Sequence, residues 1–148
     1  MRFERTARRY CDLDASCRAL SHRRGQPERH GVSTATVSAK AAPARLVDRA
    51  EDIRSAVLVD SAGALLAASD SDTARARQLA ELTRKLIEAA DAVAPEPTEQ
   101  IEVRLEGGAV FAVRTVRHTL ACVARRLALP ALVLYDLRQA MLEVEGAS

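Results

Sequence analysis

The chain has 148 residues, 48% of them apolar and 28% charged, which is enough for one domain with a real core. No apolar run approaches the roughly 18 residues of a membrane-spanning helix. The charged start "MRFERTARRY" has no apolar stretch behind it, which argues against a secretory leader, so the expected location is the cytoplasm.

Charge is unevenly spread. Residues 1–45 hold ten Arg/Lys against four Asp/Glu, whereas residues 46–148 hold twelve against sixteen. A basic tail can mean nucleic acid or an anionic surface. Only Lys40 and Lys85 are lysines, however, and alanine is abundant, so the arginines reflect a coding bias as much as a function. Arg5, Arg8, Arg9, Arg23 and Arg24 could touch phosphates. Only Phe3 and Tyr10 could stack on bases, so nucleic acid is not an expected partner.

Residues 1–43 contain "SHRRGQPERHGVSTATVSAKAAPA", too poor in large apolar side chains to offset the entropy of ordering. They are expected to be a disordered tail, with at most a short helix in "ARRYCDLDASCRAL", and residues 44–148 to be the folded domain. Three cysteines, an odd number, suggest no disulfide framework, and Cys11, Cys17, His22 and His30 fit no zinc spacing.

Leu46, Val47, Ala50 and Ile53 follow helical spacing, which predicts a short helix. Ala56–Val59 is a continuous apolar run, expected as a central strand covered on both faces. Gly63 suits a tight turn, and residues 64–68 read as the second strand. "SDSD" then offers helix caps.

A helix is expected over 73–94, ended by Pro95 and Pro97. Ala76, Leu79, Thr83, Leu86, Ile87, Ala90 and Val93 gather on one side, with Ala80 and Leu82 widening the arc beyond what packing on one surface needs. Arg77, Glu81, Arg84, Lys85, Glu88 and Asp91 gather on the other side. "IEVRLE", residues 101–106, alternates strictly, so Ile101, Val103 and Leu105 should point inward and Glu102, Arg104 and Glu106 outward. Gly107-Gly108 reads as a hairpin turn. Strands at 110–116 and 120–126, joined near Arg117-His118, precede a helix opening at Pro130 with Leu134, Leu137 and Met141 buried.

The order α-β-β-α-β-β-β-α, with "AVLVDSAGALLAAS", "IEVRLEGGAVFAVRTVRHTLACVA" and "LPALVLYDLRQAML", resembles the Roadblock family of dynein light chains and their prokaryotic relatives over residues 44–145. "AVLVDSAG" and the "LR" of the last helix are the most specific parts. The resemblance implies an α/β (α+β) domain with a profilin-like five-stranded antiparallel sheet, the long helix on one face and the other helices on the opposite face. It also implies a non-enzymatic dimer whose relatives bind small Ras-like GTPases or join motor and signalling complexes.

Asp60 ends the first strand. Phosphotransfer chemistry would want a second carboxylate two positions on, where Ala62 stands, and no helix N-terminus follows Gly63 to bind phosphate. Asp60 is therefore expected to shape the turn. No phosphate-binding loop or dinucleotide fingerprint occurs. Cys122 reads as a small core residue, and His118 as a solvated turn residue.

No catalytic residue, cofactor or metal is expected. The expected function is a homodimeric scaffold, or a partner of a Roadblock-like paralogue, that regulates a small GTPase. Leu79, Leu82, Leu86, Glu102, Val103, Arg104 and Leu105 are expected at the dimer interface, and Arg77, Glu81, Arg84 and Lys85 at a partner. The strand charges favour a two-fold axis at Val103 or Leu105, because an axis at Arg104 sets arginine against arginine. A profilin-like sensor holding a small ligand in its core, with the basic tail on nucleic acid or membrane, is the alternative.

Overall fold

A computed structural model describes residues 39–146, all within the unit Ser33–Ser148. A 3₁₀ turn at Ala39–Ala41 leads into helix α1, Ala42–Arg49. Strands β1 (Ile53–Asp60) and β2 (Leu65–Ala68) precede helix α2 (Thr73–Asp91). Strands β3 (Gln100–Leu105), β4 (Gly108–Arg114) and β5 (His118–Ala124) precede helix α3 (Pro130–Gly146). The five strands form one antiparallel sheet in the order β2-β1-β5-β4-β3, which leaves β2 and β3 as edges.

Two apolar layers flank the sheet. On one face α1 and α3 cover Ala56, Leu58, Phe111, Leu120 and Cys122, using Leu46, Leu137, Met141 and Val144. Burying each large side chain there contributes about 1.5–3 kcal/mol. On the other face α2 sets Ala76 and Leu79 against Val57, Ala112 and Ala121. The continuous apolar run of β1 thus serves both layers. Asp72 caps α2, its carboxylate accepting from the Ala74 and Arg75 amides.

Several boundaries differ from expectation. Ala42 and Pro43 are buried, so the ordered domain begins before residue 43; the rest of the expected tail, with Cys11, Cys17, His22 and His30, lies outside the described residues. Ile53 does not end the first helix. The helix stops at Arg49, where Ala50 turns extended (φ −116°), and Ile53 starts β1 opposite Ala124. An i, i+3 apolar spacing cannot distinguish a helix from a buried strand start nearby.

The two last strands begin two residues earlier than expected. Thr115 N–H donates to the His118 carbonyl (2.8 Å), so the turn centres on Val116-Arg117, and Val116 is 95% exposed despite its strand propensity. Similarly, Leu105 pairs with Gly108, which makes Glu106-Gly107 the β3–β4 turn. Gly108 serves a close approach: a Cβ there would lie 2.6 Å from the Ala124 carbonyl oxygen. Gly63, with φ +84°, does take the left-handed conformation expected of it.

Candidate functional site

Asp60 is a turn residue. Its Oδ1 accepts the amides of Ala62 (2.9 Å) and Ala64 (2.8 Å), the geometry of an Asx-type turn. Among the described residues no three His, Cys, Asp or Glu side chains cluster closely enough to hold a metal ion. Burial pushes the Cys122 thiol up to about 12, which fits a core residue and not a thiolate nucleophile.

His118 is not a solvated turn residue. It opens β5, and its Nδ1 lies 2.8 Å from Glu145 Oε1 on α3. Thr115 Oγ1 donates to the same Glu145 oxygen at 2.8 Å. These hydrogen bonds hold the Glu145 carboxylate below the usual carboxylate range, His118 being the larger cause. The Thr115 hydroxyl meets the carboxylate and not the His118 ring, so the trio lacks the hydroxyl–imidazole contact of an acyl-transfer triad.

Among the described residues the best-formed crevice has little room for a ligand. A crevice lined by Ser55, Val57, Ala68, Asp70, Arg75 and Leu79 holds about 10 Å³, space for a single water. Among the described residues no buried side-chain polar atom lacks a hydrogen bond. Thr83, buried in α2, donates to the Leu79 carbonyl.

The surface is more informative. β3 is a sheet edge, and its open side can be assigned. Arg114 N–H donates to the Glu99 carbonyl (2.8 Å), and antiparallel bonding alternates residue by residue. The amides and carbonyls of Ile101, Val103 and Leu105 therefore face β4. Those of Gln100, Glu102 and Arg104 face away from the sheet. The outward backbone groups of these three residues form an edge that proteins rarely leave bare.

Side chains flanking this edge alternate as expected, but the apolar row is poorly covered. Ile101 and Val103 are half-buried on the α2 face, and Leu105 is 59% exposed. On the opposite face Arg104 Nε pairs with Glu102 Oε1 at 2.8 Å. Gln100, on that same face, accepts a hydrogen bond from the Arg138 guanidinium of α3.

Helix α2 divides the expected interface residues. Leu79 is 7% exposed and belongs to the protomer's own core. Leu82 is 40% exposed and Leu86 partly buried, so these two present apolar surface. On the charged side Arg84 is a hub. It bonds both oxygens of Glu81 (2.9 and 2.7 Å) and reaches Glu88, while Lys85 lies 3.7 Å from Glu81. The pairing raises the Arg84 pKa and lowers that of Glu81. Arg77 is exposed and makes no ion pair with the described residues.

Sequence reasoning missed the Arg138–Gln100 contact and the half-buried setting of His118. Gln100 could have been found as the next outward position before Glu102. Arg138 belongs to the "LR" of the last helix, but its contact with Gln100 gave no signal, because the two lie 38 residues apart.

Residues 44–125, more than half of the chain, match the Roadblock/LC7 domain model. The chain belongs to the Roadblock/LC7 family. Solved structures share this Roadblock fold. A Roadblock/LC7 domain from Streptomyces avermitilis is 23% identical with a TM-score of 0.65, covering 72% of this chain and 94% of that one. MglB of Myxococcus xanthus is 18% identical with a TM-score of 0.62, covering 73% and 92%. A Schizosaccharomyces pombe profilin, 15% identical with a TM-score of 0.57 over 75% and 99%, shows that the Roadblock sheet is profilin-like. No curated protein is significantly similar to the chain in sequence. Among the described residues no helix is long and apolar enough to cross a membrane.

Proposed function

We propose that this Roadblock/LC7 domain is a non-enzymatic homodimeric platform in the cytoplasm that binds and regulates a small Ras-like GTPase. The observation that carries the reading is the open β3 edge together with apolar surface at the exposed Leu82 and Leu105 and the half-buried Leu86. A bare edge strand calls for a pairing partner, and a second copy related by a two-fold axis offers the same strand antiparallel. Joining two β3 edges extends the sheet to ten strands and brings the two α2 helices together on one face. Apolar burial by Leu82 and Leu86 drives association, and the strand pairing directs it.

Dimerisation doubles the charged α2 surface carrying Arg77, Glu81, Arg84 and Lys85, which is the surface we assign to the GTPase. The family resemblance supports the partner class. The domain acts by presenting this surface, so any change in hydrolysis arises at the partner's own nucleotide site. A filled core favours this platform over a ligand sensor. The test is to purify the protein from its native cell, isolate the co-purifying small GTPase, and compare that GTPase's hydrolysis and nucleotide exchange with and without the domain. No effect on either rate, and no binding in either nucleotide state, contradicts the proposal.

A further inference from the structure

The charges on β3 are compatible with a two-fold axis at Val103 or at Leu105. Helix α3 separates these two registers. We infer that the axis crosses at Val103 and that Arg138 of each protomer forms an ion pair with Glu106 of the partner subunit, an inference that rests on the dimer proposed above.

Gln100, Glu102 and Arg104 share the face of the sheet opposite α2. The Arg138 guanidinium is held on this face by donating to Gln100 Oε1. It makes no ion pair with the described residues, and neither does Glu106, which lies exposed in the turn after β3. Two opposite charges with no ion-pair partner among the described residues thus lie near the two ends of one open strand.

With the axis at Val103, Gln100 stands opposite the partner's Glu106, about 5.5 Å away between Cα atoms in a hydrogen-bonded pair. The guanidinium resting on Gln100 is then within side-chain reach of that carboxylate. Glu102 faces Arg104 of the partner subunit in the same register. Across the two-fold each contact occurs twice, giving four ion pairs in a row. The backbone agrees: Glu102 and Arg104, whose amides and carbonyls point outward, become mutual hydrogen-bonding partners.

The other registers lose these contacts. An axis at Leu105 leaves Gln100 beyond the β3–β4 turn that ends the partner's strand, so Arg138 meets no carboxylate of that strand. An axis at Arg104 sets Arg104 against its own copy and Glu102 against the partner's Glu106, both like-charge pairs. The Arg138–Glu106 pair therefore selects one register and favours an identical chain as partner.

Two experiments on the full chain, with Cys11 and Cys17 changed to serine, test this. Val103→Cys, Arg104→Cys and Leu105→Cys are oxidised separately. Residues on the axis at Val103 form a non-hydrogen-bonded pair about 4.5 Å apart, within disulfide range. Val103→Cys should cross-link at least about tenfold faster than the other two. Separately, Arg138→Glu and Glu106→Arg should each raise the dimer Kd by roughly tenfold at low salt, from charge pairs of this exposure formed twice. Mixing the two variants should restore wild-type affinity, because the heterodimer re-forms one pair with its native sign and the other with reversed sign.

Fastest cross-linking at residue 104 or 105, or no recovery on mixing, overturns the register while leaving the β3 dimer intact. Absence of cross-linking at all three positions in a protein that sediments as a monomer overturns the dimer itself, and this inference with it.

Discussion

Arg104 Nε sits 2.8 Å from Glu102 Oε1, two residues away on the open edge of the sheet. The pair neutralises the edge within one protomer. Both side chains are accessible, and both backbones at these positions point outward. Joining two edges at Val103 exchanges these internal pairs for pairs across the axis. The local charge balance is unchanged, so the edge can open and close at little electrostatic cost. Association must then be driven by apolar burial elsewhere.

The backbone assignment predicts a contrast between neighbouring prolines. Val103 N–H faces β4, opposite Val110, so Val103→Pro breaks the protomer's own ladder and should lower its thermal midpoint by several degrees. Glu102 N–H faces outward, so Glu102→Pro should leave the midpoint of the protomer within a degree or two while weakening self-association at least tenfold. Sedimentation velocity and calorimetry on both variants check this. Equal effects of the two prolines on the fold would show that the outward side is misassigned.

Leucines of α2 should separate in the same way. Leu82→Asp places a charge on surface that is exposed in one protomer, so it should produce a folded monomer. Leu79→Ala empties a core position and should cost about 2–4 kcal/mol in chemical denaturation, with dimer affinity affected less. A Leu82→Asp protein that remains dimeric would remove α2 from the interface.

Asp60→Asn keeps an oxygen for the Ala62 and Ala64 amides, so stability and GTPase binding should match wild type. Asp60→Ala leaves those amides without their acceptor and should cost about 1 kcal/mol. Loss of a magnesium- or phosphate-dependent activity in Asp60→Asn would instead make Asp60 chemical.

Acid should weaken the fold at two carboxylates. The Thr98 amide, and then the Arg114 guanidinium 2.6 Å away, hold Asp91 below the usual carboxylate range, and His118 and Thr115 do the same for Glu145. A depressed folded pKa means the unfolded chain binds protons first. The stabilisation is complete above the unfolded value of about 4 and is lost as pH falls through the lower folded values. The thermal midpoint should hold from pH 7 to about 5 and drop below about 4. Asp91→Asn should make that drop shallower; an unchanged acid limb would contradict the assignment.

The sequence disclosed what depends on local pattern. The strict alternation of Ile101–Glu106 located a half-buried strand, the caps at Asp70–Asp72 located the start of α2, and Pro130 located the start of α3. It misplaced what depends on neighbours. Val116 has strand propensity, but the Thr115–His118 bonds make it a turn tip. Helical spacing placed Leu79 and Leu82 on one apolar arc, and only the fold shows that the sheet buries Leu79 and leaves Leu82 exposed. His118 meets Glu145, and Arg138 meets Gln100, through contacts between elements far apart in sequence, which no spacing rule can reveal.

Self-association through β3 underlies all of these interface predictions. Sedimentation equilibrium of the wild-type chain from about 1 to 50 μM, beside the Glu102→Pro variant, tests it most directly. Wild type should fit a single dimer of twice the 16.0 kDa chain mass across that range, with the variant shifted to monomer. A wild-type protein that sediments as a monomer throughout would contradict the account.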